Sequence, residues 1–193
     1  ADYRPNVDFF LRLCLSIDHE IVNPLIHRDP IVVPKYQLIK DRMREEAIQE
    51  MVQYWYIILQ AYISDYDIVL SVLKNITAYI SWIDVSLIVN DPWISLIMKL
   101  IHHQNHVIQL SAIECLIEIV SKGMKSSDKL QLLSYLQMIP FLQSITQQYF
   151  HTKNSNENDE QLALVVQLGK LVNVVGCQIL NTWVDPSTNN SSN

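Results

Sequence analysis

Three glycines among 193 residues, in a chain that is 49% apolar, constrain the fold more than any motif does. Tight hairpins draw on the positive φ that glycine adopts without a steric penalty, so a many-stranded sheet is disfavoured. The apolar residues, mostly Leu and Ile, instead recur at helical spacing. A chain of this length can bury a sizeable core. The expectation is therefore an all-α protein.

Seven helical segments follow from the periodicity. The first runs from Asp8 to about Val22, with Phe9, Leu13, Ile17 and Ile21 as its apolar stripe. A loop over residues 23–34 carries Pro24, Pro30 and Pro34, each lacking a donor N–H. A long helix is predicted from about Tyr36 to Ile63, with a stripe of Ile39, Met43, Ala47, Met51, Trp55 and Ile58 flanked by Val52, Leu59 and Tyr62. Next come Asp67–Trp82 and Pro92–His102, the latter capped by Asp91 with Pro92 in the first helical position. Val107–Lys122 should end in a left-handed cap at Gly123. Asp128–Phe150 should kink or break at Pro140. A flexible polar loop over 152–159 and a last helix, Glu160–Val184, complete the folded part. The tail, residues 185–193, has no apolar residue and is expected to be disordered.

A shift of 39 residues places Ile68 on Val107, Val69 on Ile108, Leu73 on Ala112, Ile76 on Cys115 and Ile80 on Ile119. Helix pairs repeating at about 40 residues are characteristic of HEAT and armadillo arrays, whose pairs stack because none buries its apolar face alone. On the repeat signal alone, a globular helical bundle stays open beside the solenoid.

Composition and motif content narrow the function classes. Cys14, Cys115 and Cys177 lie far apart within apolar helical patterns, as buried thiols of a reduced compartment would. No apolar run reaches about 18 residues without a charged or polar break, which argues against a membrane span. No signal peptide is visible, and a chain beginning at Ala1 reads as a processed or excised piece of a longer one. The net charge of −6, from 14 basic and 20 acidic residues, argues against a self-sufficient nucleic-acid-binding domain. His19-Glu20 opens like a zinc-protease helix, but Asn23 stands where the second histidine belongs. His102, His103 and His106 bridge one helix end and the next helix start, with no acidic or Cys ligand nearby, and the dipole favours His102 and His103 without a metal. There is no glycine-rich phosphate loop and no nucleophile elbow, so neither a catalytic residue nor a cofactor is expected.

The charged residues Lys40, Asp41, Arg42, Arg44, Glu45 and Glu46 offer two readings. Lys40 and Arg44 share a helical face, which is either a solvated face with intrahelical pairs or a surface that meets a protein or phosphate partner. Lys99, Lys125 and Lys129 are similar candidates, because they fall on or near the second helices of their repeats, which line the concave side of solenoids. Trp55, Trp82, Trp93 and Trp183 sit among apolar neighbours and are read as core rather than as base-stacking platforms. Asp84 and Asp91 read as helix caps.

The run from Tyr79 to Asp91 (Tyr-Ile-Ser-Trp-Ile-Asp-Val-Ser-Leu-Ile-Val-Asn-Asp) and the segment Ile113–Met124 together resemble the exportins of the importin-β (karyopherin) superfamily, most closely its tRNA exportins. Ile39–Glu45, Tyr54–Leu59 and Lys170–Gly176 extend the resemblance in order from about Asp8 to Trp183. Residues 125–129, Lys-Ser-Ser-Asp-Lys, depart from the Asp-Pro helix start usual in that family. The resemblance implies a right-handed α-solenoid of about three and a half HEAT pairs over residues 1–184, belonging to the N-terminal region of a longer protein. It further implies a nuclear export receptor that binds tRNA cooperatively with Ran-GTP, passes nuclear pore proteins, and releases both ligands in the cytoplasm after GTP hydrolysis. No membrane insertion and no small-molecule substrate would be involved. An exportin for another cargo, or a HEAT scaffold without a GTPase partner, are the alternatives. Lys40, Arg42 and Arg44 are the first candidates for contact with Ran or tRNA, followed by Lys99, Lys125 and Lys129.

Overall fold

Apolar helices with few glycines must bury their stripes against one another, and this chain does so in two compact units, residues 1–96 and 97–193. The computed structural model describes residues 3–22, 27–151 and 159–184, and among these there is no strand. The helices are α1 (Arg4–Ile21), α2 (Val33–Glu46), α3 (Ile48–Ala61), α4 (Tyr66–Ile80), α5 (Asp91–Ile101), α6 (His106–Ser121), α7 (Ser126–Tyr135), α8 (Met138–His151) and α9 (Asp159–Val184). A single 3₁₀ turn, Val85–Leu87, follows α4. The loop expected at 152–159 falls almost wholly, and the tail at 185–193 wholly, outside the described residues.

In the first unit α1 packs along α4 in parallel. Arg4 pairs with Asp65 at one end, and Trp82 Nε1 donates to Asp18 Oδ1 (3.1 Å) at the other. Between them Asn75 Nδ2 donates to Leu11 O (3.1 Å), and the Tyr79 hydroxyl donates to Cys14 O (2.8 Å). The partners are separated by 61, 64, 65 and 64 residues. A near-constant difference means that both helices advance in the same direction. Asp65 also caps α4, its carboxylate accepting from Ile68 N–H.

The stripe expected on α1 is not the buried one. Phe9 and Leu13 are exposed, and Leu11 and Cys14 face the core. Helix α1 is apolar on two sides, and the side carrying the carbonyls that α4 engages is the one buried. The long helix expected from Tyr36 to Ile63 is two helices, broken at Ala47 (φ −128°, ψ −35°). The break frees α3 to bury its own stripe, Ile48, Val52, Trp55 and Leu59, rather than continue that of α2, which buries nothing. Trp55 packs edge-on against Tyr79 with ring centroids 5.0 Å apart, and Tyr56 does the same with Trp93 at 5.2 Å. Cys14 lies beside Trp55, and burial pushes its thiol up to about 11.

Helix α5 begins one residue earlier than expected because Asn90, not Asp91, is the cap: its side-chain oxygen accepts from Trp93 N–H.

In the second unit α9 lies along α6, with His106 Nε2 3.5 Å from Glu160 Oε2 where the two helices begin. Asn105 caps α6 by accepting from Val107 and Ile108 N–H, and Gln109 Nε2 donates to the carbonyl of Ile101 at the end of α5. Helix α9 buries Leu164, Leu168, Leu171, Val175 and Thr182, spaced for one helical face. Its other side exposes Leu162, Val166, Leu180 and Trp183. By length and composition alone α9 could cross a membrane, the one such helix among the described residues. That test is also passed by helices that serve as packing elements, and α9 carries Lys170 within it.

Several local expectations are corrected here. Gly123 does not adopt positive φ; α6 ends at Lys122 in an extended conformation (φ −52°, ψ 129°). The break between α7 and α8 falls at Gln137, with φ of 49°, because Pro140 sits in the first turn of α8, where its missing N–H costs nothing. Cys177 and Trp183 are exposed rather than buried, both lying on α9 away from its packed face. The repeat register is 40, not 39. The caps Asp65 and Asn105 are 40 apart, and the burial pattern from Ile68 to Ile80 recurs from Ile108 to Val120. The 39-residue shift sets buried Ile68 on exposed Val107.

Asn75 is fully buried and ties α4 to α1. Asn75→Ala should lower the unfolding free energy by about 1–3 kcal/mol, measured by urea denaturation.

Candidate partner-binding surface

Three of the six candidate cations, Lys40, Arg42 and Arg44, lie on α2 in the first unit. Helix α2 has Pro34 in its first turn, as fits a position whose N–H has no intrahelical partner. Its residues four apart share a face, so Lys40 and Arg44 point the same way and Arg42 points away.

That shared face meets Trp82. The Lys40 ammonium lies 5.6 Å and the Arg44 guanidinium 5.7 Å from the centroid of the Trp82 ring, within cation–π range. Arg44 Nε donates to Trp82 O (2.9 Å), and its Nη1 pairs with Asp41 (2.9 Å). On the other edge of the indole, Nε1 donates to Asp18. Burial holds the Asp18 carboxyl above the usual carboxylate range, against the lowering pull of the Trp82 N–H and Lys40. Burial also lowers Lys40, and the like charge of Arg44 adds to it.

Around the end of α1 a second polar group forms. Arg28 donates to the carbonyls of Glu20 (2.8 Å) and His19 (3.0 Å), closing the C-terminus of α1 where cations are favoured. Its guanidinium stands 5.6 Å from the Tyr36 ring, and Tyr36 donates its hydroxyl to Glu20 (2.6 Å). An open groove lined by Leu15, Ser16, Asp18, His19 and Glu20 runs along this end of α1.

The sequence reading missed both anchors. Trp82 is buried, as expected of a core residue, yet it is also the surface on which α2 rests. The one available signal was its polar N–H at the end of a helix, which needs a partner when buried. Arg28 and Tyr36 gave no signal, because the contacts they make span the loop between α1 and α2.

The remaining cations are set differently. Arg42 is 72% exposed in its side chain, with only a long 3.9 Å approach to Glu46. Lys99 is exposed in the last turn of α5, where the dipole favours it. Lys125 is exposed at the cap position of α7 and makes no side-chain cap bond. Lys129 corrects the expectation: it is only 3% exposed, and its ammonium donates to the carbonyls of Val120 and Lys122. It closes the C-terminus of α6 from the neighbouring helix and presents no charge to a partner. Burial lowers its pKa.

The histidine group makes local contacts. His103 Nδ1 accepts from Asn105 N–H (2.9 Å), and His106 faces Glu160. Among the described residues no three His, Cys, Asp or Glu side chains are grouped to hold a metal ion.

Residues 2–116 match the family described as Exportin 1-like protein. The chain is similar to Exportin-T of Mus musculus, 36% identical over 186 residues that cover 95% of the chain and 18% of that protein. It is similar to Exportin-T of Dictyostelium discoideum, 36% identical over 92% of the chain and 15% of that protein. Exportin-T of Homo sapiens is 35% identical over 95% of the chain and 18% of its own length. The chain thus spans less than a fifth of the length of these relatives.

Lys129→Met keeps the aliphatic stem and removes two charge-assisted bonds. It should cost about 1.5–3 kcal/mol in stability, read by chemical denaturation, and leave partner binding by the folded protein unchanged.

Proposed function

The chain belongs to the exportin 1-like family, and from that premise we propose that it forms part of a nuclear export receptor for tRNA. The observation that carries this reading is the similarity to proteins named Exportin-T over 92–95% of the chain. The fold is that family's HEAT-repeat solenoid. We read residues 1–184 as about three and a half helix pairs of such an array.

In this proposal the complete polypeptide binds tRNA together with Ran in its GTP form. Each ligand raises affinity for the other by the same factor, as any equilibrium coupling requires. GTP hydrolysis on Ran releases both in the cytoplasm, and the receptor shuttles through the pore by contacts with nuclear pore proteins. The work is conformational rather than catalytic; the chain needs no cofactor, takes no small-molecule substrate and does not insert into a membrane. Helix pairs joined by modest interfaces suit a receptor that opens and closes around its cargo.

The excess of acidic residues confines RNA contact to local basic positions. Of the candidates, Arg42, Lys99 and Lys125 keep their charges at the surface. Lys40 and Arg44 are engaged by Trp82 within the first unit. An exportin for another cargo is the second reading, favoured by the breadth of the matching family description.

Labelled tRNA titrated onto the complete polypeptide separates the two. Tight binding with Ran bound to a non-hydrolysable GTP analogue, weakened by at least about tenfold with Ran-GDP, is the expected result. Binding of Ran-GTP without tRNA would assign the chain to another cargo. Binding of neither would overturn the transport reading.

A further inference from the structure

Helix α2 differs from every other α-helix among the described residues in what holds it. Each of the others buries at least two side chains, and α2 buries none. Val33 is 48% exposed, Leu38 64% and Ile39 41%, and Met43 is only half-buried. Polar contacts tie it down. Tyr36 donates to Glu20 at the start of the helix, Lys40 and Arg44 rest on the Trp82 ring, and Arg44 donates to Trp82 O near the end.

Both margins of the helix are suited to movement. At its C-terminus Ala47 leaves helical geometry, and no side chain caps the start of α3 there. At its N-terminus no side chain caps α2 either. Elements with little buried apolar area and solvent-exposed backbone bonds open at low cost, independently of the core beneath them. Beneath it, α1, α3 and α4 also bind one another directly: Trp55 packs edge-on against Tyr79, and Tyr79 donates to Cys14 O.

We propose that α2 is a clasped strap that opens and closes as a unit about Ala47, with Trp82 as the catch held by Lys40 and Arg44. Closed, the strap spends two cations on one indole ring, where their like charges stand four residues apart and oppose each other. Open, it releases both cations from the indole on one helical face. The strap is a property of the first unit and does not depend on the identity of the cargo.

Hydrogen exchange followed by mass spectrometry on the whole chain tests it. Amides of residues 37–46 should exchange at least about 100-fold faster than those of residues 70–80 in α4, as expected for local opening. Arg44→Gln removes a charge-assisted bond and a cation–π contact, and should speed exchange in α2 by about a further tenfold while leaving α1, α3 and α4 unchanged. Lys40→Gln should do the same to a smaller degree. Protection of α2 equal to that of α4 would overturn the proposal. So would an Arg44→Gln variant that leaves α2 unchanged, or that speeds all four helices equally.

Discussion

The first unit depends on the fixed register between α1 and α4. Apolar stripes bring helices together but tolerate sliding, because one leucine packs nearly as well against the next. Asn75 and Tyr79 remove that freedom. Each sends a polar group from α4 to a particular backbone carbonyl of α1, Leu11 and Cys14 respectively. Slipping the pair would strand a buried donor without a partner, a penalty comparable to or larger than the net worth of the bond. The end contacts, Arg4 with Asp65 and Trp82 with Asp18, extend the same register to the helix termini. Trp55 and the rest of the α3 stripe then pack against a surface whose relief is already set.

Several cations of this chain serve its architecture. Arg28 closes α1, Lys129 closes α6, and Arg44 with Lys40 holds α2. Each meets backbone carbonyls or an indole face. A membership established by similarity along most of the chain says more about function than any one side chain does. The proposed receptor role also suits the structure in one respect: elements held by polar contacts, such as α2, can yield without loss of the core.

Helix existence was legible wherever local signals agreed. The apolar periodicity of α4, α6 and α9 marks elements that stand within a residue or two of their expected limits. Rotation and continuity were not legible. Phe9 and Leu13 form as good a stripe as Leu11 and Cys14, and only the tertiary partner selects between them. The break at Ala47 has no glycine or proline to announce it; it arises because α2 and α3 answer to different surfaces. Lys129 looked like a surface charge because its two acceptors are backbone carbonyls, which carry no sequence signature. The apolar helical neighbours of Trp183 and Cys177 suggest core positions, but α9 packs on one side only. The apolar neighbours of Trp82 mark it as core and hide its second role, holding α2 through Lys40 and Arg44.

The parallel register of α1 and α4 is the claim on which the account rests, and nuclear Overhauser contacts measured on the isotopically labelled chain test it most directly. The account predicts cross-peaks from the Asn75 side-chain amide to protons around Leu11, and from the Tyr79 ring to those around Cys14. Cross-peaks joining the start of α1 to the end of α4, as an antiparallel pair would give, would contradict it.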